Sequence, residues 1–454
     1  MRHTSERSRR EILRMGTRAL ASAGAAAALH RAGLISARAQ TTSQYKAMVC
    51  IFLFGGNDAN NLLIPNDSAG YANYAKIRQN LAIAQASLVP IADSATKASY
   101  GLHPSFAPLA PLYNTAKRLA LVANVGTLVQ PVGRDSKTGM PQLAGTPLPV
   151  NLYSHSDQQT AWQTAMAQGG ATTGWSGRAA DRAASVGGGQ LPPSITLGGN
   201  VIQVVGEVTQ ASAVNTASLS LVAPATDPGA TALQQILNLP SGATLVQAAQ
   251  SSLRDSISMA AAVNSALSGS ASLGVTFPGS DIGTQLGQVA KLIQVRQNFG
   301  ATRQIFFCSQ SGYDTHSNQL AQHVTLYGNL AAALNAFDQA MTALNLQSNV
   351  TTFTESDFGR TFQPNGNAGT DHGWGSHALV MGGAVAGGAV YGTYPSLALG
   401  GPDDSTTRGT WVPSTAAEQY VAAVAKWFGV TAQADLDYAF PNLKNFGYQA
   451  LPVV

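Results

Sequence analysis

Residues 350–383 read VTTFTESDFGRTFQPNGNAGTDHGWGSHALVMGG, and the reading of this stretch decides the fold. A β-branched and aromatic run, Val350 to Thr354, is followed at once by Glu355, Asp357 and Arg360. A Gly/Asn loop then leads to Asp371 and His372, and a second apolar run covers Ala378 to Met381. Two short runs of this kind, bounded by Gly and Asn, predict two strands with carboxylates and imidazoles at their ends. In open α/β sheets ligands bind beyond the carboxyl ends of the strands, so acids and histidines placed there mark a candidate site.

Working outward, the same grammar recurs. Ala47 to Phe54 (AMVCIFLF) is a continuous apolar run, as expected of a strand buried on both faces, and it ends in Gly55-Gly56-Asn57-Asp58. Asp58, on a Gly-rich turn where backbone comes close to a ligand, is either a metal ligand or a turn carboxylate capping the next segment. Leu119 to Val125 and Gln304 to Cys308 predict further buried strands, the latter followed by Tyr313-Asp314-Thr315-His316. Helical patterns fill the gaps: His103-Pro104 to Leu112, a segment from Gly174 carrying Arg178, Leu286 to Arg296 closed by Gly300, Leu320 to Met341, and Ala416 to Phe428 closed by Gly429. Residues 205–280 are rich in Ser, Ala, Thr and Gly and predict a helical insertion. No internal repeat is visible, and strands alternate with helices, which predicts an α/β fold with a mostly parallel sheet covered by helices.

Of the 26 basic and 22 acidic residues, 8 and 2 fall within residues 1–39, leaving 18 basic against 20 acidic in residues 40–454. That body has no basic excess to steer it to nucleic acid. Residues 8–14, Ser-Arg-Arg-Glu-Ile-Leu-Arg, resemble the twin-arginine consensus and precede an Ala-rich stretch ending Ala37-Arg38-Ala39. They predict an export signal on residues 1–39, carriage by the twin-arginine translocase, and a periplasmic or secreted mature domain over 40–454 with no stable membrane span. Cys50 and Cys308 both lie in apolar runs, which suits two buried thiols or a disulfide between neighbouring strands, and the absence of a CxxC spacing excludes a thiolate zinc site.

Six histidines lie beyond the leader: His103, His155, His316, His323, His372 and His377. His155, His316, His372 and His377 stand beside Asp or Ser in loop positions, an arrangement that suits one or two divalent cations binding phosphoryl or sulfuryl oxygens. In Tyr153-Ser154-His155-Ser156-Asp157, Ser154 stands at a helix start, as a cap or as a nucleophile. Arg178 is a candidate to hold an oxyanion or a surface base.

The order GGND, SHSD, YDTH, TESDFGR and TDHG resembles the alkaline phosphatase and sulfatase superfamily, in particular an uncharacterised branch of twin-arginine-exported bacterial proteins, over nearly the whole mature chain. The resemblance implies a doubly wound sheet with helices on both faces and usually two metal ions. It assigns metal ligation to Asp58, Asp314, His316, Asp357 and His372, with His377 as a substitute for His372. It maps the nucleophile to Ser154, with Ser156 as the weaker candidate. Where the superfamily has Asp-His, this chain has Asp357-Phe358, so either His155 or another oxygen completes the shell or one metal site is lost; an oxygen-rich shell would favour Mg, Mn or Ca over Zn. The expected function is hydrolysis of an anionic phosphate or sulfate ester, with Ser154 attacking, His155 beside it in the catalytic set, and Arg360 or Arg178 holding the non-bridging oxygens. The alternative is an exported, catalytically degenerate protein of the same fold that binds a partner or a glycan.

Overall fold

The computed structural model describes residues 44–183, 191–214, 228–240 and 243–454; the leader reading falls on residues outside these. Twelve strands run in chain order: β1 Lys46–Phe54, β2 Leu63–Pro65, β3 Val89–Ala92, β4 Ser99–Leu102, β5 Leu119–Gly126, β6 Ser194–Thr196, β7 Ala211–Ala213, β8 Arg303–Ser311, β9 Val350–Ser356, β10 Ser376–Met381, β11 Val390–Gly392 and β12 Thr415–Ala416. Nine of them form one sheet in the order β11-β5-β10-β9-β1-β8-β6-β7, with β12 beside β5; β2, β4 and β3 form a small antiparallel sheet. The large sheet is mixed and mostly parallel. Only β10 runs against its neighbours β5 and β9.

The predicted strands at 47–54, 119–125, 304–308, 350–354 and 378–381 are present, and β1 lies at the centre between β8 and β9. Its alternate residues face opposite ways. Ala47, Val49, Ile51 and Leu53 pack with Leu286, Val289, Leu330 and Leu334 from the helices Asp281–Gln294 and Gln319–Ala343. Met48, Cys50 and Phe52 pack with Trp175, Ala179, Tyr420 and Val421 from Trp175–Arg182 and Ala417–Phe428. Burial on both faces is why this strand reads as an unbroken apolar run. Local signals set the helix limits: the Ser280 hydroxyl accepts from Gly283 N–H at the start of Asp281–Gln294, and Gly429, at φ +132°, ends Ala417–Phe428.

The same alternation removes one reading. Cys50 stands opposite Phe307 and Cys308 opposite Ile51 in the β1–β8 register, so the two thiols belong to cores on opposite faces of the sheet and are free. Burial pushes both thiols up.

Within residues 205–280 the described segments hold helices Pro228–Leu237 and Thr244–Ser268. Among the described residues no helix is long and apolar enough to cross a membrane.

Candidate metal centre

Three loops converge beyond the carboxyl ends of β1, β8 and β9. The β8 exit carries Asp314 and His316, the β9 exit carries Asp357 and Arg360, and the reversed β10 brings its entry, Asp371 and His372, to the same edge. His155 joins them as the first residue of the helix His155–Thr164. Close approach at this edge requires Gly55: its φ is +114°, and a Cβ there would stand 2.4 Å from the Asp314 backbone nitrogen.

The imidazoles are arranged alike. His155 Nδ1 donates to Asp357 Oδ2 at 2.7 Å, His372 Nδ1 donates to the Tyr153 carbonyl at 2.8 Å, and His316 Nδ1 faces Asp371 Oδ1 at 3.4 Å. In His155 and His372 the acceptor at Nδ1 holds the proton there and leaves Nε2 as a lone pair. The three Nε2 atoms gather around Asp314: His316 Nε2 is 3.0 Å and His372 Nε2 3.3 Å from Oδ1, and His155 Nε2 is 3.6 Å from Oδ2. His316 and His372 bring their Nε2 atoms within 3.1 Å of each other. The side-chain atoms of His155, Asp314 and His372 lie close enough together to hold one ion, and His316 adjoins them. Imidazoles whose far nitrogens are fixed by carboxylate or carbonyl are how proteins orient metal-ligating histidines.

Burial alone would raise the Asp314 carboxyl; the hydrogen bond and charge of Arg360 outweigh it and hold the group below the usual carboxylate range. Burial also lowers His372. Phe358 walls the cluster, with ring centroids 4.8 Å from His155 and 4.7 Å from His372. His155 stands beside Asp357.

Ser154 occupies the N-cap position of His155–Thr164, but its hydroxyl makes no capping bond; its partner is Ser156 Oγ at 3.2 Å. Tyr153, one residue before it, supplies the carbonyl that orients His372. Serine and cluster are thus joined through the backbone.

Five of the expected site residues have their polar groups engaged elsewhere. Asp58 is fully buried and its carboxylate is taken by Arg78 Nη2 at 2.6 Å, Gln319 Nε2 at 2.6 Å and Asn60 Nδ2 at 2.8 Å, so it is the anion of an internal ion pair rather than a ligand. Asp357, also buried, receives Gly55 N–H, His155 and Gln159, so its carboxylate is spent on orienting His155. Arg360 is enclosed, donating to the Gly55 carbonyl, Asp314 Oδ1, Thr370 Oγ1 and the Thr370 carbonyl, so it positions Asp314 and has no face for substrate. Arg178 is buried among the carbonyls of Thr164, Thr173, Tyr438 and Ala439 and ties two helices together. His377 is buried beside Tyr394 with Nδ1 accepting from Asn124 N–H, apart from the Asp314 group. In each case a polar side chain solves a burial problem that sequence does not display.

His377 supplies a stability test. Burial pushes its pKa down to about 4, so the unfolded chain takes up this proton first, near pH 6.5. Folding stability is therefore full above that range and falls as pH drops towards 4, by ~1.4 kcal/mol per unit from this group. In urea titrations between pH 7 and 4.5, His377→Gln should lose about one proton's worth of that slope. An unaltered slope would show that His377 is protonated in the fold.

Such a molecule is an α/β protein with a histidine-aspartate cluster at the carboxyl edge of a mostly parallel sheet. Residues 45–408 match a family described as "Protein of unknown function (DUF1501)", and the chain belongs to it. No curated protein matches the chain. Solved structures that resemble it include the crystal structure of Ps i-CgsB, at 9% identity over 90% of this chain and 77% of that one with a TM-score of 0.33. The complex of Ps i-CgsB with k-i-k-neocarrahexaose is similar to the same degree, at 9% identity, 88% and 77% coverage and a TM-score of 0.35.

Proposed function

We propose that the chain is an exported, metal-dependent hydrolase of phosphate or sulfate esters. The observation that carries this is the approach of His316 Nε2 and His372 Nε2 to 3.1 Å, with the Asp314 carboxylate against both. With both protons on Nδ1 the two lone pairs would repel at that distance, and a cation between them and the carboxylate would remove the conflict. Three imidazole nitrogens and one carboxylate oxygen suit Zn or a similar transition ion better than Mg or Ca, the reverse of the preference drawn from an oxygen-rich shell.

His155, His316, His372 and Asp314 would hold the ion. When bound, it supplies Lewis-acid polarisation of an ester oxygen and eases deprotonation of a neighbouring hydroxyl. Ser154 offers that hydroxyl, next to His155 and at the positive end of a helix. Its Oγ forms the bond to phosphorus or sulfur as the ester oxygen departs with its electron pair; the serine proton leaves to solvent, and water then releases the acid. Asp357 and the Tyr153 carbonyl keep His155 and His372 in the required tautomer.

The test is hydrolysis of an aryl phosphate and an aryl sulfate by the metal-loaded protein. Activity is expected to disappear with chelator, return with added Zn or Mn, and be absent from Ser154→Ala at unchanged metal content. A protein that retains metal yet cleaves neither ester would contradict the enzyme and leave a binding protein.

A further inference from the structure

With Arg360 and Arg178 both enclosed, an anionic ester needs another cation. We propose that Arg408 is that group: it holds the non-bridging oxygens of a tetrahedral oxyanion, phosphate or sulfate, an inference that rests on the hydrolase reading above. Arg408 Nη1 donates to Asp371 Oδ2 at 2.5 Å, and the other oxygen of Asp371 faces His316 Nδ1. The guanidinium thus stands one carboxylate and one imidazole from the proposed ion. Unlike Arg360, its side chain is 40% exposed, and among the described residues nothing accepts from its Nε and Nη2 edge. That edge offers two parallel donors, the geometry that matches a phosphate or sulfate.

The loop beneath it is fixed. Gln363 N–H donates to the Arg408 carbonyl and Phe362 N–H to that of Gly409. The buried Asp404 carboxylate gathers the N–H groups of Gly400, Thr406, Gly409 and Thr410. Asp371, itself held by Asn365 Nδ2, aims the guanidinium. A flexible side chain anchored at its backbone and at one nitrogen loses little freedom when the remaining edge closes on an anion.

The experiment uses the full metal-loaded chain, titrated calorimetrically with inorganic phosphate and separately with sulfate, alongside kinetics on the aryl esters. Arg408→Gln is expected to weaken binding of the preferred oxyanion ~10–100-fold and to raise KM by a similar factor, with kcat and metal content little changed. Arg408→Lys should restore part of the affinity. Arg134→Gln, which removes an exposed arginine paired with Asp403 on another loop, should change neither. Whichever anion binds more tightly identifies the ester class, and either preference supports the assignment. Wild-type affinity in Arg408→Gln with hydrolysis intact would overturn the role of Arg408 and leave the hydrolase standing. Loss of metal in that variant would overturn it too, by showing that Arg408 acts through Asp371 on the ion. If the wild type itself binds neither anion and cleaves neither ester, both readings fall together.

Discussion

Asp314→Asn is expected to reduce ester hydrolysis about 10³-fold, with little change in thermal stability. Asp314 is the one carboxylate against which His155, His316 and His372 all turn Nε2, and its side chain is well exposed to solvent. The amide oxygen can still accept from Arg360, so the enclosed guanidinium keeps a partner. What would disappear is the anionic charge with which Asp314 would join the three imidazoles around the proposed cation, worth several kcal/mol in a transition state that gathers negative charge. Asp357→Asn makes the contrast: it perturbs the bond that orients His155 and the Gln159 bond to the same oxygen while leaving Asp314 in place, and it should weaken metal affinity ~10–100-fold. Equal losses in the two variants would place Asp357 among the ligands.

Asp58→Ala should do the opposite, lowering folding stability by ~3–5 kcal/mol while leaving metal content per folded molecule unchanged. Asp58 and Arg78 are both fully buried, and the deletion strands the guanidinium in the interior. Burial would raise the Asp58 carboxyl, yet the Arg78 charge and hydrogen bond hold it low. Combining the change with Arg78→Met removes the stranded charge and should recover part of the loss. Denaturant titrations of the single and double variants measure this. If Asp58→Ala is as stable as the wild type but loses metal, Asp58 is a ligand after all.

These two aspartates show how much of the molecule the chain discloses. Strands such as β1 and β9 were legible because a strand buried on both faces needs a continuous apolar run. The edge carrying the cluster was legible because Asp and His follow β8 and β9 and precede β10, although the reversed direction of β10 was not. Its reversal depends on pairing with β5, more than two hundred residues away, and no local pattern encodes it. The division of labour was hidden for the same reason. Asp58, Asp314 and Asp357 all follow strands, yet one neutralises an arginine twenty residues on, one faces three imidazoles and one orients a histidine. Arg408 was missed because its loop carries no chemical signature; its proximity to Asp371 emerges only when residues 362–363 pair with 408–409. Cys50 and Cys308 are buried as their apolar runs suggest, and the face each one takes is set by register alone.

The most direct test is X-ray absorption on the full chain after metal loading and gel filtration, with elemental analysis of the same sample. Convergence of His155, His316, His372 and Asp314 on one ion requires about one transition-metal ion per chain, with three imidazole nitrogens at ~2.0–2.1 Å and a carboxylate oxygen at ~2.0–2.2 Å. A chain that elutes free of metal, or an ion surrounded by oxygen alone, would contradict it.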